Sequence, residues 1–346
     1  LGDLDGDGVV DYLAVVSTMA GPTPVYASYL LKLKADRTAG PSYQVPPDWA
    51  SDYTLYGEDI DLNNDGRSEI WGMKVIQSAV NQTAIGIYPF YSKLRVHGWK
   101  PGTTSGWEGG NFETIELPIV VASGRKVIRD TGGNILGTEL FGTDFVRFAD
   151  VNGDAKPDLI IQRMPYAAND PINSDPRYVS CGNDGLGVPG DRLVVYLNTS
   201  ADATLANLQF GGSATDPAPA YSECIDSEPT MRRNNYANVS DVKDLNGDGV
   251  PDFRFKRKSG APDGKIEFGT RTGATASWPS SLRTDTDGLS PDSRNGESRE
   301  QWLDVNGDGL DDLYSASNCS STGGVVEFVR LATARSTASM TQNSDK

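Results

Sequence analysis

Asp3-Leu-Asp5-Gly-Asp7-Gly-Val9-Val-Asp11 opens the chain, and the same nine-residue pattern returns four more times. The later copies read Asp61-Leu-Asn63-Asn-Asp65-Gly-Arg67-Ser-Glu69 and Asp150-Val-Asn152-Gly-Asp154-Ala-Lys156-Pro-Asp158, then Asp244-Leu-Asn246-Gly-Asp248-Gly-Val250-Pro-Asp252 and Asp304-Val-Asn306-Gly-Asp308-Gly-Leu310-Asp-Asp312. Repetition at this stringency sets the organisation of the whole chain. Side-chain oxygens at positions 1, 3, 5 and 9, with a turn-permissive residue at 6, are what a hard cation requires. Calcium takes about six to eight oxygens at roughly 2.3–2.6 Å, which a tight loop supplies from alternate side chains, one carbonyl and a closing carboxylate.

The expected ligands are therefore the side chains of Asp3, Asp5, Asp7 and Asp11 with the carbonyl of Val9, and of Asp61, Asn63, Asp65 and Glu69 with that of Arg67. The third set is Asp150, Asn152, Asp154 and Asp158 with the carbonyl of Lys156; the fourth is Asp244, Asn246, Asp248 and Asp252 with that of Val250. The fifth is Asp304, Asn306, Asp308 and Asp312 with the carbonyl of Leu310. Gly8, Gly66, Gly249 and Gly309 serve the turn at position 6, where a side chain would hinder it. Ala155 stands there in the third loop, which sets that loop apart. Magnesium fits less well, because it demands tighter octahedral geometry and keeps its waters. Asp/Asn-Gly turns that bind nothing are the alternative, since turns favour these residues anyway.

An EF-hand would need a bidentate glutamate at position 12 and flanking helices. That position is held by Ala14, Gly72, Ile161, Phe255 and Ser315, none of which ligates through a carboxylate. The flanking runs also have strand character. Tyr-Leu-Ala-Val-Val follows Asp11, Leu-Ile-Ile-Gln-Arg follows Asp158, and Phe-Arg-Phe-Lys-Arg follows Asp252. Phe145-Val-Arg-Phe148 and Gln301-Trp-Leu303 precede two of the loops, so each motif reads as a loop between two strands.

Strand, D-x-[DN]-x-D-G-x-x-[DE] loop and strand, repeated along a chain, resembles the FG-GAP or VCBS-type repeat of integrin α-subunit propellers and of many bacterial extracellular proteins. The resemblance implies an all-β fold, a β-propeller of four-stranded blades with calcium loops between strands, and an extracellular or cell-surface location. Leu193-Val-Val-Tyr-Leu-Asn-Thr199 also resembles inner strands of repeats in bacterial Rhs and Tc-type toxin proteins. First positions at residues 3, 61, 150, 244 and 304 give intervals of 58, 89, 94 and 60 residues. Propeller units commonly run about 40–60 residues. The two long intervals are then either paired blades, giving seven in all, or single blades with insertions, giving five. Seven is the preferred count, although residues 164–192 and 211–235 are rich in Pro, Asp, Asn and Ser and read as long loops. Residues 1–333 form one propeller on this reading, and residues 334–346 a linker or tail. Leu1 stands immediately before the first loop without a strand ahead of it, so the chain reads as part of a larger polypeptide or assembly.

Thirty-one basic against 47 acidic residues leave a net charge of -16, which disfavours nucleic acid and anionic membranes as partners. No stretch approaches the roughly 18 apolar residues that span a bilayer. At positions 1, 3, 5 and 9 the five loops hold 16 carboxylates, and about five structural calcium ions would bring the formal charge to -6. Without metal these clusters repel themselves; with it, binding contributes to folding. Cys181, Cys224 and Cys319 lack zinc or redox spacing, and Cys181 with Cys224 is the preferred disulfide pair, the other two pairings staying open.

His97 is the one histidine and sits among apolar residues, which favours a structural role over catalysis. The Gly-rich run at residues 107–111 reads as a turn. Six tryptophans and fourteen tyrosines fit blade packing better than a carbohydrate face. Sequons at Asn81, Asn198, Asn238 and Asn318 matter only in a eukaryotic secretory host. The expected function is a protein- or glycan-binding scaffold used in adhesion, and not an enzyme. A shell segment of a Rhs or Tc-type toxin and a polysaccharide-active enzyme are the alternatives.

Overall fold

In a computed structural model the described residues are 2–20, 23–36, 38–44, 55–57, 60–78, 87–100, 112–129, 132, 135–143, 145–163, 181–183, 189–190, 192–213, 215–224, 236–244, 249–257, 265–267, 269–272, 275–277, 283–284, 299–303, 305–307, 312–319, 324–331 and 341–342. Within them the chain is all-β, apart from one 3-10 turn at Leu205–Asn207. No helix among them is long and apolar enough to cross a membrane.

The first sheet is built from β1 (Tyr12–Ala20), β2 (Thr23–Leu33) and β3 (Ala39–Gln44). Strands β4 (Leu55–Gly57), β5 (Ile70–Ser78), β6 (Ile87–Trp99), β7 (Phe112–Arg129) and β8 (Ile135–Thr143) form the second. The third joins β9 (Phe145–Ala149) and β10 (Asp158–Arg163) to β13 (Arg192–Tyr196) and β14 (Tyr221–Cys224), with a hairpin of β11 (Cys181–Asn183) and β12 (Pro189–Gly190) between. The fourth holds β15 (Tyr236–Lys243), β16 (Asp252–Arg257), β17 (Lys265–Glu267) and β20 (Arg283–Thr284), interrupted by the hairpin β18 (Thr270–Thr272) and β19 (Thr275–Ser277). The fifth is β21 (Arg299–Leu303), β22 (Asp312–Cys319), β23 (Gly324–Leu331) and β24 (Thr341–Gln342).

Every sheet is an antiparallel meander with strands paired in chain order. In sheets two to five the nine-residue motif joins the first strand to the second, and in sheet one it leads into β1. Each long interval between motifs contains one large sheet, in the second case with a hairpin added, so the described residues hold five sheets of three to five strands and two hairpins. The 89-residue interval is filled by lengthening: β7 alone runs 18 residues. Within the segment assigned to the tail, Thr341–Gln342 pairs with Arg330 and Leu331 of β23.

Strand periodicity decides how the sheets stack. Alternate side chains leave opposite faces of a strand, and in the third sheet both faces are apolar. Leu159 and Ile161 of β10, Val194 and Tyr196 of β13, and Val146 and Phe148 of β9 meet Trp71, Met73, Leu94 and Val96 of the second sheet. The intervening Ile160, Leu193 and Val195 face the other way and pack with Val250 and Phe253 at the start of the fourth. The unbroken run Leu159, Ile160, Ile161 is 0% exposed, as a strand covered on both sides requires. Each such side chain contributes about 1.5–3 kcal/mol when buried. Trp71 meets Phe148 edge-on at 5.6 Å, and between sheets one and two Tyr43 stacks on Phe112 at 5.8 Å. Leu4, Leu30 and Ile70 complete that first interface. Consecutive sheets from one to four thus pack face to face in chain order.

Candidate metal centres

The described loops share one backbone design. The position-6 N–H donates to Oδ2 of the position-1 aspartate in four of them, from Gly8 to Asp3 (2.7 Å), Gly66 to Asp61 (2.7 Å), Ala155 to Asp150 (2.8 Å) and Gly249 to Asp244 (2.7 Å). The position-7 N–H donates to Oδ1 of the position-5 aspartate, from Val9 to Asp7, Arg67 to Asp65 and Lys156 to Asp154, at 2.9–3.0 Å. Drawing the backbone this tightly around one carboxylate needs positive φ at position 6, observed at Gly8 (82°), Gly66 (85°) and Gly249 (79°). Ala155 takes the same conformation at 66° and makes the same hydrogen bond, so the third loop keeps its shape despite the methyl group. A second left-handed residue stands at position 4: Gly6, Asn64, Gly153 and Gly307 all have positive φ. Its sequence signal was the Gly or Asn found there in every repeat.

The loops close at position 9. Asp11 N–H donates to the Gly2 carbonyl (3.0 Å) and Glu69 N–H to that of Ile60 (2.9 Å), so each loop closes on the residue directly before its position 1. The closing carboxylate is buried in the first four loops, with Asp11, Asp158 and Asp252 at 0% and Glu69 at 2% exposure. It accepts from the position-2 N–H: Leu4 to Asp11 Oδ2 at 3.1 Å, Leu62 to Glu69 Oε2 at 2.6 Å and Val151 to Asp158 Oδ2 at 2.9 Å.

Burial raises three of these groups. It pushes Glu69 up to about 8 against the Leu62 N–H, with the charges of Asp61 and Asp65 adding to the rise. It pushes Asp158 up to about 7 against the N–H groups of Asn198 and Val151. Asp11 rises to about 6 for the same reason, opposed by the Leu4 N–H, increased by Asp5, and lowered slightly by Lys32 and the Leu33 backbone. A cation bound beside such carboxylates favours their ionised form and offsets the cost of burying it.

Two groups of these side chains converge. Ligand oxygens of Asp3, Asp5 and Asp11 lie within 4.8 Å of one another, as do those of Asp61, Asp65 and Glu69. Asp5 Oδ1 and Asp11 Oδ1 are buried and close no hydrogen bond, which leaves them disposed for a cation. The oxygen-only donor set is of the kind calcium takes, and Asp3, Asp5 and Asp11 or Asp61, Asp65 and Glu69 would hold such an ion. Among the described residues Asp150, Asp154 and Asp158 form no third group of this kind. Asp158 has both oxygens engaged, since Oδ1 accepts the Asn198 N–H at 2.7 Å. In the fourth loop Asp252 Oδ1 accepts from Gly269 N–H at 2.8 Å. Asn246, Asp248, Asp304, Asp308, Gly309 and Leu310 lie outside the described residues, as do the run at 107–111 and Asn81.

Three residues outside the motif shape the site. Lys32 Nζ binds Asp5 Oδ2 closely and Asp7 Oδ2 at 2.7 Å. Its hydrogen bond holds Asp7 below the usual carboxylate range; burial works against the ammonium, but Asp5 and Asp7 outweigh it and hold Lys32 above its ordinary value. Asn198, 3% exposed, spends its side chain on the Leu62 carbonyl (2.7 Å) and on Ser200, so its sequon is folded into the interface. Gly98 lies against Glu69, where an added Cβ would come within 3.3 Å of Oε1 and 2.8 Å of Leu205 Cδ2. Loops one and two touch directly: Ser68 N–H donates to the Asp3 carbonyl (2.8 Å) and Arg67 Nε to the Asp5 carbonyl (3.3 Å). Lys32, Asn198 and Gly98 carry no signal in the nine-residue motif, because each acts from a neighbouring strand or sheet.

His97 is 0% exposed and pairs through Nδ1 with Thr114 Oγ1 at 2.8 Å across β6 and β7. It is part of the sheet packing. Neither a family model nor a curated protein matches the chain.

Proposed function

We propose that the chain is a calcium-binding β-propeller module that works outside the cell as a rigid scaffold for a protein or glycan partner. One observation carries the reading: independent loops repeat the same hydrogen-bond design around a closing carboxylate that is buried. A divalent ion offsets the charge of such a cluster and ties the two strands on either side of each loop. Face-to-face packing of consecutive sheets, with loops one and two bonded to each other, supports their closure into a ring. With its only histidine spent on packing, the chain favours recognition over catalysis.

The test is binding of the calcium-loaded protein to a glycan array and to surface extracts, each repeated with chelator. Calcium-dependent capture of a defined partner is expected. Turnover of a polysaccharide, with no capture, would replace this function with an enzymatic one.

A further inference from the structure

The first loop differs from the other four in two places that face each other. Its position 3 is Asp5, where the others carry Asn63, Asn152, Asn246 and Asn306. The strand register supplies the second difference. Tyr12 pairs with Leu31, so Lys32 stands opposite the closing Asp11. By the same step the described residues opposite Glu69, Asp158 and Asp312 are Gly98, Leu197 and Leu331. Among these described positions a cation occupies this place only beside the loop with the additional carboxylate.

The contacts show what that cation does. Asp7 has both oxygens engaged, Oδ1 with the Val9 N–H at 2.9 Å and Oδ2 with Lys32 at 2.7 Å. Asp5 is bound to Lys32 through Oδ2 alone, and its Oδ1 is buried without a hydrogen bond, as is Oδ1 of the fully buried Asp11. An entering ion would find Asp3, Asp5 and Asp11 converging on it and Asp7 held by the ammonium.

We propose that Lys32 is a built-in competitor for the first loop: it neutralises the loop when no metal is bound and must release Asp7 when a divalent ion enters. This rests on the reading that the loops bind calcium. The first loop is then the weakest and most readily emptied site, and it sits where Ser68 and Arg67 couple it to the second. Arginine would preserve the competition, whereas a neutral side chain would abolish it.

Calorimetric calcium titration of the full chain as wild type, K32M, K32R and K32M with D3N tests the proposal. The weakest site is expected to tighten about tenfold or more in K32M, since a unit charge a few ångströms from the ion has been removed. K32R should retain the wild-type profile, and D3N should delete the tightened site. Wild-type protein gives a second readout independent of any variant: saturating calcium should speed acetylation of Lys32 by acetic anhydride, followed by peptide mass spectrometry. Unchanged or weaker affinity in K32M, or slower labelling with calcium, overturns the proposal. Should K32M fail to fold, the labelling result decides. Absence of any calcium heat in the wild type removes the parent reading, an outcome distinct from failure of K32M alone.

Discussion

The side-chain amide of Asn198 donates to the carbonyl of Leu62 at 2.7 Å, linking the third sheet to the second acidic loop across 136 positions of chain. The same residue donates its backbone N–H to the closing carboxylate of the third loop. Two loops therefore share one buried asparagine. Asn198→Ala leaves the Leu62 carbonyl without its donor and opens a polar gap, at an expected cost of about 1–3 kcal/mol. Urea unfolding with chelator present measures it, and a midpoint equal to that of wild type would show the link to be idle.

Glu69 gives an isosteric test of charge. In Glu69→Gln the amide oxygen can still accept the Leu62 N–H, but the side chain no longer balances a divalent ion. Stability without calcium should be kept, or raised above pH of about 8, because the costly buried anion is gone. Calcium should bind with one site lost or markedly weakened. Calorimetry on the variant that found every site intact would remove Glu69 from the ligand set.

The raised carboxylates set a pH dependence with a definite sign. Glu69 at about 8, Asp158 at about 7 and Asp11 at about 6 bind protons more tightly in the ion-free fold than in the unfolded chain. Their contribution is fully present below the unfolded carboxylate range near pH 4 and is lost as pH rises through the folded values. Thermal melts in chelator should therefore show Tm falling between about pH 5 and 8.5. Calcium requires these groups ionised, so its stabilisation should grow over the same window with proton release. A chelated Tm that climbs with pH would contradict this ordering.

Ala155 holds a left-handed conformation at φ 66° that costs an L-residue about 1–2 kcal/mol. Ala155→Gly should recover part of this, about 0.5–1 kcal/mol net of the added chain entropy. Gly66→Ala should cost about 1 kcal/mol from the backbone alone, since a Cβ there meets nothing within 4 Å. Equal stabilities for each pair would mean that the loops relax out of this geometry.

Sequence made the strands and the loop skeleton legible because both are written locally. Phe145-Val-Arg-Phe148, Gln301-Trp-Leu303 and the runs after Asp11, Asp158 and Asp252 all lie in strands, and Gly8, Gly66 and Gly249 have the positive φ that glycine signalled. Sheet number was less legible, since an interval of 89 residues is equally long for two short meanders or one meander with an 18-residue strand. Lys32, Gly98 and Asn198 were invisible for a different reason. Their roles arise from strand register and sheet stacking, which place them beside carboxylates far away in sequence.

Metal content decides the central claim most directly. Protein purified in calcium buffer, dialysed to equilibrium and analysed for elements should retain about five calcium ions per chain, and excess chelator should lower its Tm by several degrees or more. Protein that holds no stoichiometric divalent metal, and melts at the same temperature with and without chelator, would reduce the five motifs to acidic turns.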